Sequence, residues 1–287
     1  MNDDRVLLLG ADGFVGQALA HRFAAAGIPH EKIGRENPDQ LEARLTECRT
    51  VIHLASSTTP GSSAGKPQLE AENIALTAGL TDMLARLPQT HLIYFSSGGA
   101  LYGNPATLPV TEESAIQPIS EHGSSKAAQE ALCCALRLRG HAVTILRPSN
   151  IYGPGQSLKR GFGLIRTLLE CVRTGAPVEV WGDGENIRDF IFIDDVTEAC
   201  LLLVRRPDNR GTYNLGSANG FSINQVLKLI EAITGKDIRV LTRPSRGVDV
   251  RAVVLDPSRI RRDLGWAAQT SLAEGIQKTW DWVRQQP

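Results

Sequence analysis

The chain has 287 residues, which is enough to bury a large core in one domain or in two interleaved domains. Lysine plus arginine and aspartate plus glutamate number 31 each, so the chain has no net charge that would attract nucleic acid or an anionic membrane. The acidic start is unlike a signal peptide and no apolar run reaches membrane-spanning length, so we expect a cytoplasmic protein that does not contact the membrane.

The cysteines predict free, buried thiols. They are odd in number and show no CxxC spacing, which argues against a disulfide framework and against a zinc site. We therefore expect no metal. The five positions are Cys48, Cys133, Cys134, Cys171 and Cys200.

The first predicted element is a buried strand over residues 6–9, followed by a glycine turn and a helix over about 14–26. Gly10, Gly13 and Gly16 allow a sharp turn and a close approach to a ligand. A helix start also offers free N–H groups and the positive end of the helix dipole to a phosphate. The GxxGxxG stretch thus predicts a site for a dinucleotide pyrophosphate, with a plain structural turn as the alternative.

The end of the second predicted strand, residues 30–33, bears on the choice of coenzyme. An acidic residue at this place binds the ribose 2'-hydroxyl of NAD, whereas an arginine accommodates the 2'-phosphate of NADP. Gly34 stands where the acid would be and Arg35 follows it. The sequence therefore favours NADP(H) over NAD(H), and the alternative is that Arg35 is a solvated loop charge.

The next elements continue the alternation of helix and strand. A helix over about 38–47 precedes an apolar strand over 50–55, which predicts a doubly wound parallel sheet of the α/β class. The Ser-, Thr-, Gly- and Pro-rich loop 56–66 is expected at the carboxyl edge of the sheet, as a lid or as an ordinary surface loop. A helix over 68–87 follows, with an apolar stripe that predicts packing. The stripe consists of Ile74, Leu76, Leu80, Met83, Leu84 and Leu87.

Two stretches in the middle of the chain carry candidate chemistry. The predicted strand 91–95 runs into Ser96 and Ser97, whose hydroxyls are well placed to bond a substrate oxygen. Farther on, His122 and Lys126 lie four residues apart on a predicted helix, so they share one face and can converge on a substrate. Surface decoration is the alternative for this pair. The apolar residues in the rest of that helix indicate packing, against its own core or against a partner subunit.

In the C-terminal half the order of predicted helices, strands and turns changes, which predicts a second, smaller lobe. We expect residues 1–155 and 189–215 to form the dinucleotide-binding domain, with 156–188 and 216–287 as an interleaved substrate-binding lobe. Three arginines in this half are candidates for binding phosphate, with solvated surface charges as the alternative. They are Arg243, Arg246 and Arg251.

Taken together, the motifs resemble one family over nearly the whole chain. The matching segments are GADGFVG at 10–16, HLA at 53–55, Asn73, FSSGGALYG at 95–103, Lys126, LRPSNIYGPGQ at 146–156, WGDGENIRDFIFIDDV at 181–196, YNLG at 213–216 and DPSRIRRDLGW at 256–266. The combination resembles the extended short-chain dehydrogenases/reductases, in particular the NAD(P)-dependent nucleotide-sugar epimerases and dehydratases. The resemblance implies a Rossmann sheet with a smaller C-terminal lobe, a nucleotide-diphosphate sugar between the two, and a homodimer that pairs through the helix after Lys126.

The resemblance also implies roles for individual residues. Residues of the glycine turn and the helix start would hold the coenzyme pyrophosphate, and others would border the adenosine, its ribose and the nicotinamide. The implied coenzyme residues are Gly10, Gly13, Phe14, Val15, Gly16, Leu54, Ala55, Lys126 and Pro148, with Arg35 added by the argument above. The candidate substrate-binding residues are Ser96, Asn150, Arg188, Arg246 and Asp249. Nothing comparable in the family supports Arg243.

The resemblance fails at two catalytic positions. The family has a tyrosine general acid/base four residues before the lysine, where this sequence has His122, and a serine or threonine where this sequence has Gly98. A neutral histidine can take a proton from a sugar hydroxyl near neutral pH, and the Lys126 ammonium should keep it neutral. We therefore expect an NAD(P)-dependent epimerase, dehydratase or ketoreductase in which His122, aided by Ser97, is the acid/base.

Two other interpretations remain open at this point. The chain could be a catalytically impaired protein of the same fold that binds NAD(P) and a nucleotide sugar, since Lys126, Asn150 and Arg188 serve binding under either interpretation. Alternatively, His122 could be an engineered substitution that traps a bound substrate.

Overall fold

The computed structural model describes residues 5–34, 40–159, 162–245 and 250–286. Its strands in chain order are β1 (Val6–Leu9), β2 (His30–Ile33), β3 (Thr50–His53), β4 (His91–Phe95), β5 (Val143–Pro148), β6 (Asn150–Tyr152), β7 (Val178–Trp181), β8 (Ile187–Phe192), β9 (Thr212–Leu215), β10 (Gly220–Ser222), β11 (Val240–Arg243) and β12 (Ala252–Val253). Its helices are α1 (Phe14–Ala25), α2 (Leu41–Thr46), α3 (Pro60–Ser63), α4 (Pro67–Leu84), α5 (Gly98–Leu101), α6 (Glu121–Leu138), α7 (Leu164–Thr174), α8 (Ile193–Val204), α9 (Ile223–Thr234), α10 (Ser258–Leu264) and α11 (Leu272–Val283).

The main sheet is parallel throughout, with the strand order β2-β1-β3-β4-β5-β9. The chain passes from β1 to β2 on one side and then crosses to β3 on the other side of β1. In doubly wound sheets, ligands bind at the carboxyl edge where the strand order reverses in this way. The predicted fold class is confirmed, and the reversal puts the glycine turn after β1 beside the loop after β3.

Both faces of the sheet are covered, which explains the unbroken apolar run of β1. Leu8 belongs to a core cluster that includes Leu19 and Phe23 of α1 and Val196 of α8. Leu7 belongs to a cluster on the opposite face. That cluster contains Leu45 of α2, Leu80 and Leu84 of α4, and Leu136 of α6. Because successive side chains of a strand point to opposite faces, such a strand must be apolar at every position.

A second core lies in the C-terminal half. Here β8 pairs with β6, β10 and β12, and β7 pairs with β11. The apolar faces of three helices pack together with these strands, as predicted for a second lobe. The helical members include Ile165 and Leu168 of α7, Val226 and Ile230 of α9, and Ile276 of α11. The residue boundaries proposed for the two lobes stay a prediction.

Several element predictions need correction. The loop 56–66 contains the short helix α3, whose N-cap Thr59 forms a capping box with Ser62. The short strands β6, β10, β11 and β12 were not predicted. β6, β10 and β12 have only two or three residues, which is too short for a pattern to show in the sequence, and each pairs with β8.

The predicted apolar stripe of α4 is wrong in its N-terminal half. Leu76 is 37% exposed, whereas the buried positions there are Glu70, Asn73 and Thr77. This half of α4 therefore turns polar groups inward, and those groups belong to the candidate site.

The cysteines lie within the described ranges and all five are free thiols. Cys48, Cys133 and Cys200 are buried as predicted, but Cys134 and Cys171 are partly exposed. Among the described residues, no group of three or more His, Cys, Asp or Glu side chains is arranged to hold a metal ion. In the same part of the chain, no helix combines the length and apolarity needed to cross a bilayer.

Candidate active site

The glycine turn after β1 lies directly against the loop after β3. Gly10 has φ +91°, which side-chain-bearing residues rarely adopt, and a Cβ there would lie 2.6 Å from the backbone N of Ala55. A Cβ on Gly16 would lie 2.6 Å from the Cα of Ala11. The fold therefore needs glycine at both positions, one for close packing of two loops and one for packing of α1 on the turn.

Gly13 is the N-cap residue of α1. No side chain of the described chain caps this helix, so its first N–H groups stay available. Free donors and the positive end of the helix dipole are the chemistry that a pyrophosphate needs. The turn and helix start thus fit a dinucleotide coenzyme.

The other predicted coenzyme residues follow the same edge of the sheet. Phe14 and Val15 are half-buried in the first turn of α1, Leu54 and Ala55 are half-buried after β3, and Pro148 is buried at the end of β5. These residues follow or end the adjacent strands of the main sheet, with Lys126 above β4. Arg35 lies outside the described residues.

Helix α6 carries the two residues that the spacing singled out. Ser120 caps it, since its Oγ accepts a hydrogen bond from the N–H of Gly123 at 3.1 Å. His122 and Lys126 are both buried, 7% and 8% exposed, so they are not surface decoration. They lie one turn apart on the inward face of the helix.

Lys126 is fixed by the strand beneath it. Its Nζ donates to the carbonyl oxygen of Phe95, at the end of β4, over 2.8 Å and lies 5.0 Å from the centroid of the Tyr94 ring. Burial lowers the pKa of Lys126 to about 8, and the nearby Glu70 carboxylate opposes this shift. The ammonium is therefore positively charged at neutral pH and is held at the carboxyl edge of the sheet.

His122 contacts a carboxylate from another helix. Its Nδ1 lies 3.2 Å from Oε1 of Glu70 on α4. Burial lowers the pKa of His122 and the Lys126 ammonium lowers it further, while Glu70 acts in the opposite direction. The imidazole is consequently neutral at pH 7. Lys126 was predicted to keep it neutral, but burial is the larger cause.

Sequence reasoning missed Glu70. The available signal was the i, i+3 spacing of Glu70 and Asn73, which places two polar residues on one face of a helix whose apolar residues predicted a packed stripe. Asn73 itself was noted as part of a motif. Its Oδ1 accepts from the backbone N of Ser57 at 2.8 Å, which ties α4 to the loop after β3.

The serine loop after β4 lies beside the site but shows no catalytic contact. Ser96 is buried and, within the described ranges, its Oγ has no hydrogen-bond partner. Ser97 is the N-cap residue of α5 and shares no hydrogen bond with His122 in the part of the chain that is described. The assistance expected from Ser97 remains a prediction.

Gly98 is closed to any side chain. A Cβ there would lie 2.5 Å from Cδ1 of Leu255 and 2.9 Å from the carbonyl oxygen of Arg147. The serine or threonine expected at this position from the family pattern does not fit without movement of a backbone carbonyl. The packing around Gly98 therefore excludes the serine or threonine of the family pattern.

Two of the candidate substrate residues lie on paired strands, Asn150 on β6 and Arg188 on β8. Asn150 is exposed at the start of β6 and donates from Nδ2 to the carbonyl oxygen of Asp189 at 2.8 Å. Arg188 is half-buried on β8 and donates to the carbonyl oxygen of Ile187 at 2.9 Å. Arg246 and Asp249 lie outside the described residues.

The two other candidate arginines form surface ion pairs. Arg243 pairs with Glu179 across β11 and β7 at 2.6 Å, and Arg251 lies 3.3 Å from Asp183. Both arginines are exposed. The structure supports the solvated-charge alternative for this pair.

A buried ion pair anchors α6 to the sheet. Arg147 at the end of β5 donates to both carboxylate oxygens of Glu130 at 2.7 and 3.0 Å and to the hydroxyl of Tyr102 at 2.9 Å. Such a bidentate pair restricts both position and orientation. It holds the helix that carries His122 and Lys126 in place relative to β5.

Comparison with known proteins identifies the family of this chain. The model of the NAD dependent epimerase/dehydratase family matches residues 6–216. The chain belongs to this family. The epimerase/dehydratase resemblance inferred from the motifs is thereby confirmed.

Three proteins are similar to this chain over nearly its whole length. UDP-glucose 4-epimerase of Mycolicibacterium smegmatis is 29% identical, with 98% of each chain covered. The structure of UDP-glucose 4-epimerase from Thermotoga maritima with UDP-glucose has 28% identity and a TM-score of 0.90, covering 98% of this chain and 99% of that one. UDP-glucose 4-epimerase of Thermus thermophilus in complex with NAD has 28% identity and a TM-score of 0.89 over the same shares.

Proposed function

We propose that the protein is a nucleotide-sugar oxidoreductase of the epimerase, dehydratase or ketoreductase type, with His122 as its general acid/base. One observation carries this proposal: a buried histidine, neutral at pH 7, lies one turn from a buried lysine at the carboxyl edge of the sheet. Among the described residues, nothing hydrogen-bonds to Nε2 of His122, so this nitrogen is available to a substrate.

The coenzyme would lie along the sheet edge. The glycine turn with Gly10, Gly13 and Gly16 and the α1 start would bind its pyrophosphate, and Lys126 would bond the nicotinamide ribose. When bound, the nicotinamide supplies the acceptor or donor of a hydride. The nucleotide-diphosphate sugar would contact Ser96 and Asn150 together with the candidates of the second lobe, which are Arg188, Arg246 and Asp249.

His122 would move the proton that accompanies hydride transfer. Its Nε2 takes the proton of a sugar hydroxyl while a hydride leaves the carbon that bears this hydroxyl. A carbonyl group forms at that carbon. In the reverse direction the imidazolium returns the proton to the oxygen. The Lys126 ammonium does not transfer a proton in this step. Its positive charge lowers the pKa of His122 and so favours the neutral imidazole before the transfer.

The preferred coenzyme is a separate part of the proposal. Gly34 offers no carboxylate to a ribose 2'-hydroxyl and Arg35 is its neighbour, which supports NADP(H). The relative from Thermus thermophilus was solved with NAD, which supports the other coenzyme. Titration calorimetry with both coenzymes decides between them.

We also propose that the protein is a homodimer paired through α4 and α6. Leu76 on α4 and Leu138 on α6 are 37% and 90% exposed, and the resemblance implies pairing through α6. The same preparation can be examined by light scattering, and a monomeric mass at micromolar concentration would contradict the dimer.

The function is tested by incubating the protein with UDP-, GDP- and dTDP-sugars and NAD or NADP, while following nicotinamide absorbance and product mass. We expect conversion of at least one sugar, and a loss of about 10²- to 10⁴-fold in His122→Ala, which is the usual contribution of general acid/base catalysis. His21→Ala, an exposed histidine on α1, is the matched control and should be unaffected. Coenzyme binding without conversion of any sugar would instead establish the impaired binding protein.

A further inference from the structure

His122 and Glu70 form a buried histidine–carboxylate pair. Their side chains are 9% and 5% exposed, and they come from α6 and α4, 52 residues apart in the chain. The pair is not part of the motif pattern that identified the family, because the family pattern has tyrosine at position 122.

Glu70 is held in one orientation by its neighbours. Oε1 accepts from the hydroxyl of Thr58 at 2.8 Å, and Oε2 accepts from Nδ2 of Asn73 at 3.1 Å. Burial raises the pKa of Glu70, but hydrogen bonds from Thr58, Asn73, Ser125 and Ser63 outweigh it and bring the pKa to about 2. The group is therefore a carboxylate at neutral pH, with fixed oxygens.

An ionised carboxylate can accept hydrogen bonds but cannot donate them. The contact between Oε1 of Glu70 and Nδ1 of His122 therefore requires a proton on Nδ1. A neutral imidazole with its proton on Nδ1 has its lone pair on Nε2. The contact thus selects the tautomer whose free nitrogen is a base.

We propose that Glu70 is a positioning residue that fixes His122 as the Nδ1–H tautomer and presents Nε2 to the substrate hydroxyl. This inference deepens the proposed function and rests on it for its catalytic consequence. Glu70 also stabilises the imidazolium that forms when Nε2 takes the proton. The tyrosine pattern of the family needs no such partner, because a phenol has a single oxygen and no tautomers.

Glu70 is the charged neighbour that raises the pKa of His122 and so favours its imidazolium form. Lys126 on the same helix disfavours the imidazolium, and α3 and α5, which pack against α6, consist of PGSS and GGAL and carry no ionisable side chain. Arg147 of β5 is paired with Glu130 farther along α6. Removal of Glu70 should therefore lower the pKa of His122 further.

The first test uses Glu70→Gln and its matched control Glu72→Gln, an exposed glutamate two residues away on α4. An amide can donate as well as accept, so both tautomers of His122 become populated. We expect Glu70→Gln to lower kcat by about 10- to 100-fold, by analogy with loss of the carboxylate partners that orient metal-ligating histidines. We also expect the acidic limb of the pH–rate profile to move to lower pH, while Glu72→Gln changes neither. A loss of kcat without movement of that limb would show a merely structural Glu70.

The second test needs no substrate. Nitrogen-15 NMR of histidine-labelled wild-type protein reports which ring nitrogen carries the proton, and the signal of His122 is the one that His122→Tyr removes. We expect a protonated Nδ1 and an unprotonated Nε2 at pH 7, and a lower pKa in Glu70→Gln. A protonated Nε2 in the wild type would overturn the inference, whether or not any sugar is converted. Absence of turnover with the expected tautomer would overturn the proposed function alone.

Discussion

At the residue scale, the proposed role of His122 as acid/base predicts a different pH range of activity from that of a tyrosine. A phenol has an ordinary pKa of about 10 and an imidazole one of about 6.5. Burial and Lys126 lower the pKa of His122 from that value, so its base form prevails throughout the neutral range. In the proposed mechanism, the base is therefore the neutral imidazole, which is the form of His122 that prevails at neutral pH.

This difference predicts the pH profile of sugar oxidation. His122 must be unprotonated, so kcat/KM should fall as pH drops through a pKa below about 6.5. Initial rates measured from about pH 5 to 9 under subsaturating sugar should show this acidic limb. An acidic limb centred above pH 7 would contradict His122 as the base.

The two departures from the family pattern, His122 and Gly98, also differ in how far along the chain their causes lie. His122 is visible in the sequence as the residue four positions before Lys126. The reason for Gly98 is not visible, because the atoms that exclude a side chain belong to Leu255 and Arg147, far away in the chain. Sequence comparison finds such a departure, whereas its cause is a contact between distant segments.

At the element scale, the N-terminal turn of α6 is critical for the site. His122 is the second residue of this helix, and the cap by Ser120 satisfies one of the free N–H groups beside it. Loss of the cap would loosen the same turn that presents His122 to Glu70. We therefore expect the stability of this helix end and the proposed activity of His122 to depend on the same cap.

This shared dependence predicts the effect of Ser120→Ala. Loss of an N-cap hydroxyl should lower the free energy of unfolding by about 0.5–2 kcal/mol, and kcat should fall because His122 is less well ordered. Urea denaturation and initial rates measure the two effects. Ser124→Ala, at an exposed position of the same helix, is the control and should change stability by no more than about 0.5 kcal/mol. An equal effect of both variants would argue against the cap.

Elements with a signal in their own sequence could be predicted, and strands that depend on pairing with distant segments could not. β1, α1 and β4 were located to within a few residues because their apolar runs and glycines lie within or beside the element itself. β6, β10 and β12 exist through pairing with β8, and no local pattern marks them. Tertiary context also overrode the apolar stripe expected on α4.

At the scale of the whole molecule, buried neutral histidines make stability depend on pH. His53 and His91 lie on central strands, and burial lowers the pKa of each to about 3. Each has a neutral ring that hydrogen-bonds through Nε2, to Thr77 at 3.0 Å and to Thr144 at 2.8 Å. The unfolded chain binds protons at these histidines below about pH 6.5, but the folded chain does not until about pH 3.

The sign of this linkage gives a prediction. Protons favour the unfolded state in this window, so the free energy of unfolding should be highest above about pH 6.5 and should decrease as pH falls toward 4.5. Chemical denaturation at a series of pH values measures the slope. The slope should be smaller in the double variant His53→Gln/His91→Gln, whatever its absolute stability. An unchanged slope would show that other groups dominate, such as His122 and His141, whose pKa values are lowered in the same direction.

The sequence by itself determined the parallel α/β fold, the glycine turn that fits a dinucleotide, and the pair His122 and Lys126 on one helix face. Those features are set by local periodicity and spacing, which short segments carry on their own. The tertiary structure alone decided that Glu70 meets His122, that Leu255 closes the space at Gly98, and that both residues of the pair are buried. The partners in these contacts are separated by dozens of residues or more, and they meet because the sheet and its helices pack together.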